Sequence, residues 1–222
     1  MQNARGVPKR SGKLQIHVFK LLLLFAHLLG TSLALGAIVA TDIRLLGKLA
    51  DERVRIAPPN PFVMRLITLA LGVLYATGTA LVVLGLIADP DYLANPKLQA
   101  KLILVVLLSI NALVLHRYTF PGLARGRRVA RWKLRDFLRV AVPVSLSNCL
   151  WMYCAFLGIA RPWNNTVSLG FVLGTAGWLF AAALAGITTL LALAAQDRTD
   201  TEPGWIDGLK RQLGALATAL RA

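Results

Sequence analysis

SLGFVLGTAGWLFAAALAGITTLLALAA, residues Ser168–Ala195, runs for 28 residues without one charged side chain. A helix rises 1.5 Å per residue, so about 20 apolar residues cross the hydrocarbon core of a bilayer. The segment is long enough to span and too uniformly apolar to lie on the surface of a soluble domain. Four more stretches share its character: about Ile16–Ala40, Phe62–Ala88, Leu98–Leu115 and Val140–Ala160. The expected fold is all-α: a polytopic transmembrane helix bundle of five spans, forming a single membrane domain over residues 1–222.

Composition agrees. Apolar residues make up 56% of the 222-residue chain and charged ones 16%, with mean hydropathy +0.61. Soluble domains carry roughly a quarter charged residues, and disordered chains are far less apolar. The breaks between spans also fit. Ala57-Pro58-Pro59-Asn60-Pro61 cannot continue a helix, Asp89-Pro90-Asp91 closes the second span, and Asn95-Pro96 opens the third. Pro121-Gly122 is expected to end the third and Arg161-Pro162 the fourth, with Pro143 in the fourth span's first turn, where a missing N–H is cheap. Lys20, Arg65 and Lys101 sit near span ends, within reach of headgroups by snorkelling. The basic start and apolar run of the first span resemble a signal peptide, but the run continues to Ala40 and more membrane follows it, so we read it as a retained span.

The net charge of +15 lies mostly between the spans. Such a distribution is a topology signal and not a nucleic-acid footprint. With five spans, the first loop, the loop after the third span and the tail share one side. That side holds 17 of the 25 Lys and Arg, against 8 on the other. The positive-inside rule then puts the N-terminus outside and the C-terminus in the cytoplasm, although the N-terminal stub is itself basic. Within the basic loop 118–139, Arg128, Arg131, Arg135 and Arg139 recur at helical spacing opposite Ala130, Leu134, Phe137 and Leu138. This predicts an amphipathic helix over Arg125–Arg139 that binds anionic lipid headgroups. In the tail 196–222, Trp205, Leu209, Leu213, Leu216 and Leu220 follow a helical period and predict a second interfacial or partner-docking helix.

Small residues let spans approach each other. They line the first span (Ala26, Gly30, Ala34), the second (Gly72, Ala76, Ala80) and the fifth (Gly170, Gly174, Gly177, Ala181, Ala185). The fifth offers a seam for a homo-oligomer. Polar residues inside spans are few, and each is a functional candidate because lipid leaves it unsatisfied. His27 shares a face with Gly30, Thr31 and Ala34 and so faces other helices. Asn111 is mid-span in the third helix, and His116 stands near its end. Cys149 and Met152 on the fourth present a soft-ligand face suited to Cu(I). The two cysteines, Cys149 and Cys154, support no disulfide framework and no zinc spacing. Asp42 is expected to end the first helix and to pair with Arg44 or Arg65, leaving the spans free of carboxylates. No phosphate-binding loop, HExxH or Gly-x-Ser-x-Gly motif occurs. If Lys20 and Lys101 mark one interface, His27 lies 7 residues in and His116 lies 15. Eight residues of helix are about 12 Å, too large an offset for two axial ligands of one haem. Asn111, 10 residues in, is nearer the level of His27.

HLLGTSLALGAIVATDIRLL (His27–Leu46) and KLQAKLILVVLLSINALVLHRYTFP (Lys97–Pro121) together carry a resemblance. A mid-span His followed by Gly and a terminal acid, then a Lys-led third span ending in His-Arg, resembles a family of uncharacterised bacterial multi-pass inner-membrane proteins. It is distantly similar to the copper-resistance D and HemJ-type protoporphyrinogen oxidase bundles. The resemblance covers roughly the first 120 residues and implies haem or copper chemistry, with His27 as ligand and Lys101 as its partner. The candidate cofactor-binding residues are therefore His27, Asn111 and Lys101. The candidate metal ligands are His27, Cys149, Met152 and His116. The expected function is a redox or accessory membrane protein holding haem b or copper. A cofactor-free scaffold or assembly factor is the alternative, and a small-solute permease a third.

Overall fold

The computed structural model describes residues 8–49, 55–126, 128–194 and 205–219. Arg5, Arg53, Arg127, Arg198, Arg221 and Leu220 lie outside the described residues. The protein is an all-α membrane protein. Five helices are long and apolar enough to cross a bilayer, and among the described residues the only β pairing is one isolated bridge. In chain order the helices are α1 (Pro8–Leu49), α2 (Pro61–Ala88), α3 (Pro96–Val114), α4 (Phe120–Leu123), α5 (Leu134–Ile159), α6 (Leu169–Ala194) and α7 (Trp205–Ala219). A π turn, Leu115–Thr119, joins α3 to α4 in one continuous rod, Pro96–Leu123, which is the third span.

The chain divides into two compact units: residues 1–37 with 61–95, and residues 38–60 with 96–222. In the first, the α1 segment and α2 pack antiparallel. His27 meets Thr77 and Gly78, and one turn on Gly30 meets Leu74 and Val73. A Cβ at Gly30 would lie 3.5 Å from Leu74 and from Val73, an ordinary contact distance, so this small residue faces α2 as expected and an Ala would also fit. At the far end of α2, the 3-10 turn Pro90–Ala94 folds Tyr92 back over Gly85, where any Cβ would collide with the phenol ring. Asp89 fixes this turn by accepting the Asp91 N–H at 3.0 Å.

The second unit is built on α5. Against α6, Tyr153 donates to the Val172 carbonyl at 2.9 Å and Cys149 Sγ to that of Ala176 at 3.5 Å, an antiparallel register. At one end of the unit an aromatic core joins the span ends to the loops and α7. Trp205 and Phe137 stack with centroids 4.2 Å apart, and the Trp205 backbone N–H donates to the Trp132 carbonyl. Val129, Ile56 and Leu191 fill in around them. The start of α7 thus docks on its own chain, with Gly208 against Leu134, while Leu213 further along is exposed.

Four boundaries differ from the sequence expectation. α1 runs on to Leu49, so Asp42 lies within the first span and not at its end. Pro121 does not stop the third span. The π turn just before it widens the helix where an ordinary turn would set the ring against a carbonyl. α5 begins at Leu134, not Val140, which puts Pro143 in its interior. Finally, Arg125–Arg139 is not one amphipathic helix. Gly126 takes φ 64°, Val129–Arg131 forms a 3-10 turn, and Trp132–Lys133 is extended. Burial explains the break: Val129 and Trp132 are both drawn into the aromatic core, whereas Leu138 of the expected apolar stripe is exposed. Asp136, in the first turn of α5, accepts the Lys133 N–H and marks the new helix start.

Candidate functional site

His27 lies in the first unit, half-buried against α2. Its Nδ1 is 2.8 Å from Thr77 Oγ1. The Thr77 hydroxyl is itself 2.7 Å from the Val73 carbonyl, four residues back. A hydroxyl carries one hydrogen, and a carbonyl can only accept. Thr77 therefore donates to Val73 and accepts from His27, which sets the imidazole proton on Nδ1 and the lone pair on Nε2. Gly78 packs beside the ring: a Cβ there would sit 3.5 Å from His27 Cε1, an ordinary contact distance. Thr31 Oγ1 donates to the His27 carbonyl at 2.8 Å. Sequence reasoning placed His27 on a helix-facing side but missed Thr77. The signal was available: a mid-span Thr hydroxyl is a natural partner for a mid-span His.

The remaining candidates lie in the second unit. Asn111 is buried and donates from Nδ2 to the Pro143 carbonyl at 2.9 Å. Two turns along the same rod, Thr119 Oγ1 donates to the Arg139 carbonyl at 2.8 Å. Residue 139 is four before Pro143, so its carbonyl is the one left without a helical donor by the proline. Thr119 and Asn111 together brace the proline-containing stretch of α5 from the third span. Asn111 is thus engaged with backbone.

Lys101 Nζ lies 3.7 Å from the position a Cβ would take at Gly158, and Lys97 Nζ donates to the Ala160 carbonyl at 3.0 Å. Both ammoniums gather at the C-terminal end of α5, where the helix dipole is negative and the last carbonyls want donors. Cys149 is buried against α6, whereas Met152, three residues on, is 45% exposed, so the two do not share an environment. His116 is exposed in the π turn and meets Phe120 edge-on at 5.3 Å. Among the described residues, no three His, Cys, Asp or Glu side chains converge as a metal site. A second polar contact was not foreseen: Asn148 Nδ2 donates to the Asp42 carboxylate at 2.9 Å, so the intramembrane acid is held by α5.

The four arginines separate. Arg128 is half-buried and its backbone bridges Arg55 of the first loop, which brings the two basic loops together at one end of the second unit. Arg131 is exposed in the 3-10 turn, and Arg135 and Arg139 are exposed on the first turns of α5.

No family model matches the chain, and no curated protein or solved structure matches it. What stands of the family resemblance is its coarse part, a membrane protein of five helical spans.

Proposed function

We propose that this multi-pass membrane protein is a redox or accessory protein of the bacterial inner membrane that holds haem b through His27 Nε2. The observation that carries the reading is the Thr77 hydrogen bond, because ligating histidines characteristically donate their other ring N–H to an oriented partner. A single-imidazole site fits these residues. A copper centre fits them less well, since no group of three or more such donors converges among the described residues. Haem, when bound, would supply one-electron chemistry. The protein's part is to fix the ring's tautomer and orientation, through Thr77. The same reading sets the basic loop against the anionic cytoplasmic leaflet, with the N-terminus outside.

The test is the absorption spectrum and iron and copper content of protein purified in mild detergent from haem-replete cells. His27→Gln should abolish a Soret band while the protein still inserts and extracts. Thr77→Val should weaken haem retention by roughly 10- to 100-fold, the usual cost of losing such a supporting bond. His116→Gln should leave the band in place. Wild-type protein with no Soret band would replace this reading with that of a scaffold. The observation favouring the scaffold is the face of α6, where Cβ atoms at Gly170, Gly174 and Gly177 would meet open space, as an oligomer seam requires.

A further inference from the structure

Where the third span ends at Leu123 and the fourth begins at Leu134, a cleft of about 30 Å³ opens in the second unit. Tyr118, Gly122, Arg125, Asp136 and Arg139 line it, over a buried floor that includes Trp132. A second, open groove starts from the same Arg139 and runs along α5 past Leu138 and Val142 to Pro143, into the apolar part of the span. The cationic cleft therefore lies at the hydrocarbon boundary, with an apolar groove leading away from it.

We infer that this pair of features is a phospholipid site: Arg125 and Arg139 hold the phosphate group, and an acyl chain lies along Leu138 and Val142. Arg guanidinium forks match phosphate oxygens in pairs, and the Tyr118 hydroxyl adds a donor on the same wall. The cleft holds a few water-sized volumes, which suits a tetrahedral headgroup and excludes a nucleotide base or a haem. Asp136 is the one acid on the wall. Its carboxylate accepts the Lys133 N–H at 3.4 Å in capping α5, which leaves two cations facing the cleft against one anion. The first turns of the 26-residue α5 add the positive end of its dipole. The inference rests on reading this end as the membrane edge, but not on the haem reading.

The experiment is native mass spectrometry of the full chain in neutral detergent, titrated with phosphatidic acid, with diacylglycerol and with inorganic phosphate. Because no bilayer is present, its failure is separable from failure of the leaflet assignment. Phosphatidic acid should be retained and diacylglycerol, which has the chains without the phosphate, should not. R125Q/R139Q should weaken retention by roughly a hundredfold, about tenfold for each charge-assisted contact. R117Q/R128Q removes the same charge from residues that line neither the cleft nor the groove and should change little. Equal losses in both arginine pairs would overturn the site. Arginine-dependent binding of inorganic phosphate with no gain from the lipid would overturn the acyl groove and assign free phosphate as the source.

Discussion

Thr119 should matter only because Pro143 exists. The proline removes the N–H that would have bonded the Arg139 carbonyl, and Thr119 Oγ1 supplies a donor at 2.8 Å from a side chain that is 1% exposed. Thr119→Val keeps the shape and deletes the donor. Leaving a buried carbonyl unsatisfied costs about 1–3 kcal/mol, and interhelical hydrogen bonds in membrane proteins average about 0.6 kcal/mol with a ceiling near 1.7. We therefore expect Thr119→Val to cost about 1–1.5 kcal/mol, above the membrane average because the carbonyl has no helical donor to fall back on. Pro143→Ala restores the N–H at that position, so the carbonyl regains a helical donor. In the Pro143→Ala background, Thr119→Val should cost less than about 0.5 kcal/mol, a coupling of about 1 kcal/mol. Asn111 gives an internal contrast. Its acceptor, the Pro143 carbonyl, also faces the helical N–H of residue 147, so Asn111→Leu should cost only about 0.6 kcal/mol. The assay is equilibrium unfolding in mixed micelles, with helix content followed by circular dichroism. The same cost for Thr119→Val in both backgrounds would refute the account, because the hydroxyl would then not be compensating the proline.

Three further outcomes follow from the fold. Reporter fusions at Asp91, Arg128 and Thr199 should read outside, inside and inside; an outside reading at Arg128 reverses the orientation, and one at Thr199 alone breaks the five-span count. Gly85→Ala should destabilise by about 1–3 kcal/mol through collision with Tyr92, and Tyr92→Ala should relieve most of that in a thermal melt in detergent. No relief would mean that the ring is not what fills the space. Trp205→Ala removes a 1%-exposed indole stacked on Phe137 and should cost about 3 kcal/mol locally, read as faster proteolytic release of α7. Unchanged release would mean that α7 is anchored elsewhere.

Spanning a bilayer is a one-dimensional property: some 20 apolar residues in a row suffice whatever they touch, so the five spans and the all-α class could be read from the chain alone. So could the packing face of α1, since Gly30 and His27 do turn toward α2 as their spacing implied, whereas Gly72 and Ala76 of the expected α2 face are exposed. Helix ends and hydrogen-bond partners are three-dimensional. The basic segment has the period of an amphipathic helix, yet Val129 and Trp132 gain more by entering a core built with Trp205, more than 70 residues away, than a surface helix could offer. That core moves the start of α5 back to Leu134, and Pro143 then changes from a harmless first-turn residue to an interior one that needs Thr119. The partner of His27 is of the same kind. A histidine in a span announces that something must satisfy it, but only the packing of α1 on α2 selects Thr77, and only the direction of the Thr77 hydroxyl decides which ring nitrogen keeps the proton. Local periodicity carries no information about which distant segment will bury a given side chain, and it is that choice, made by close packing in three dimensions, that determines the boundaries and the site.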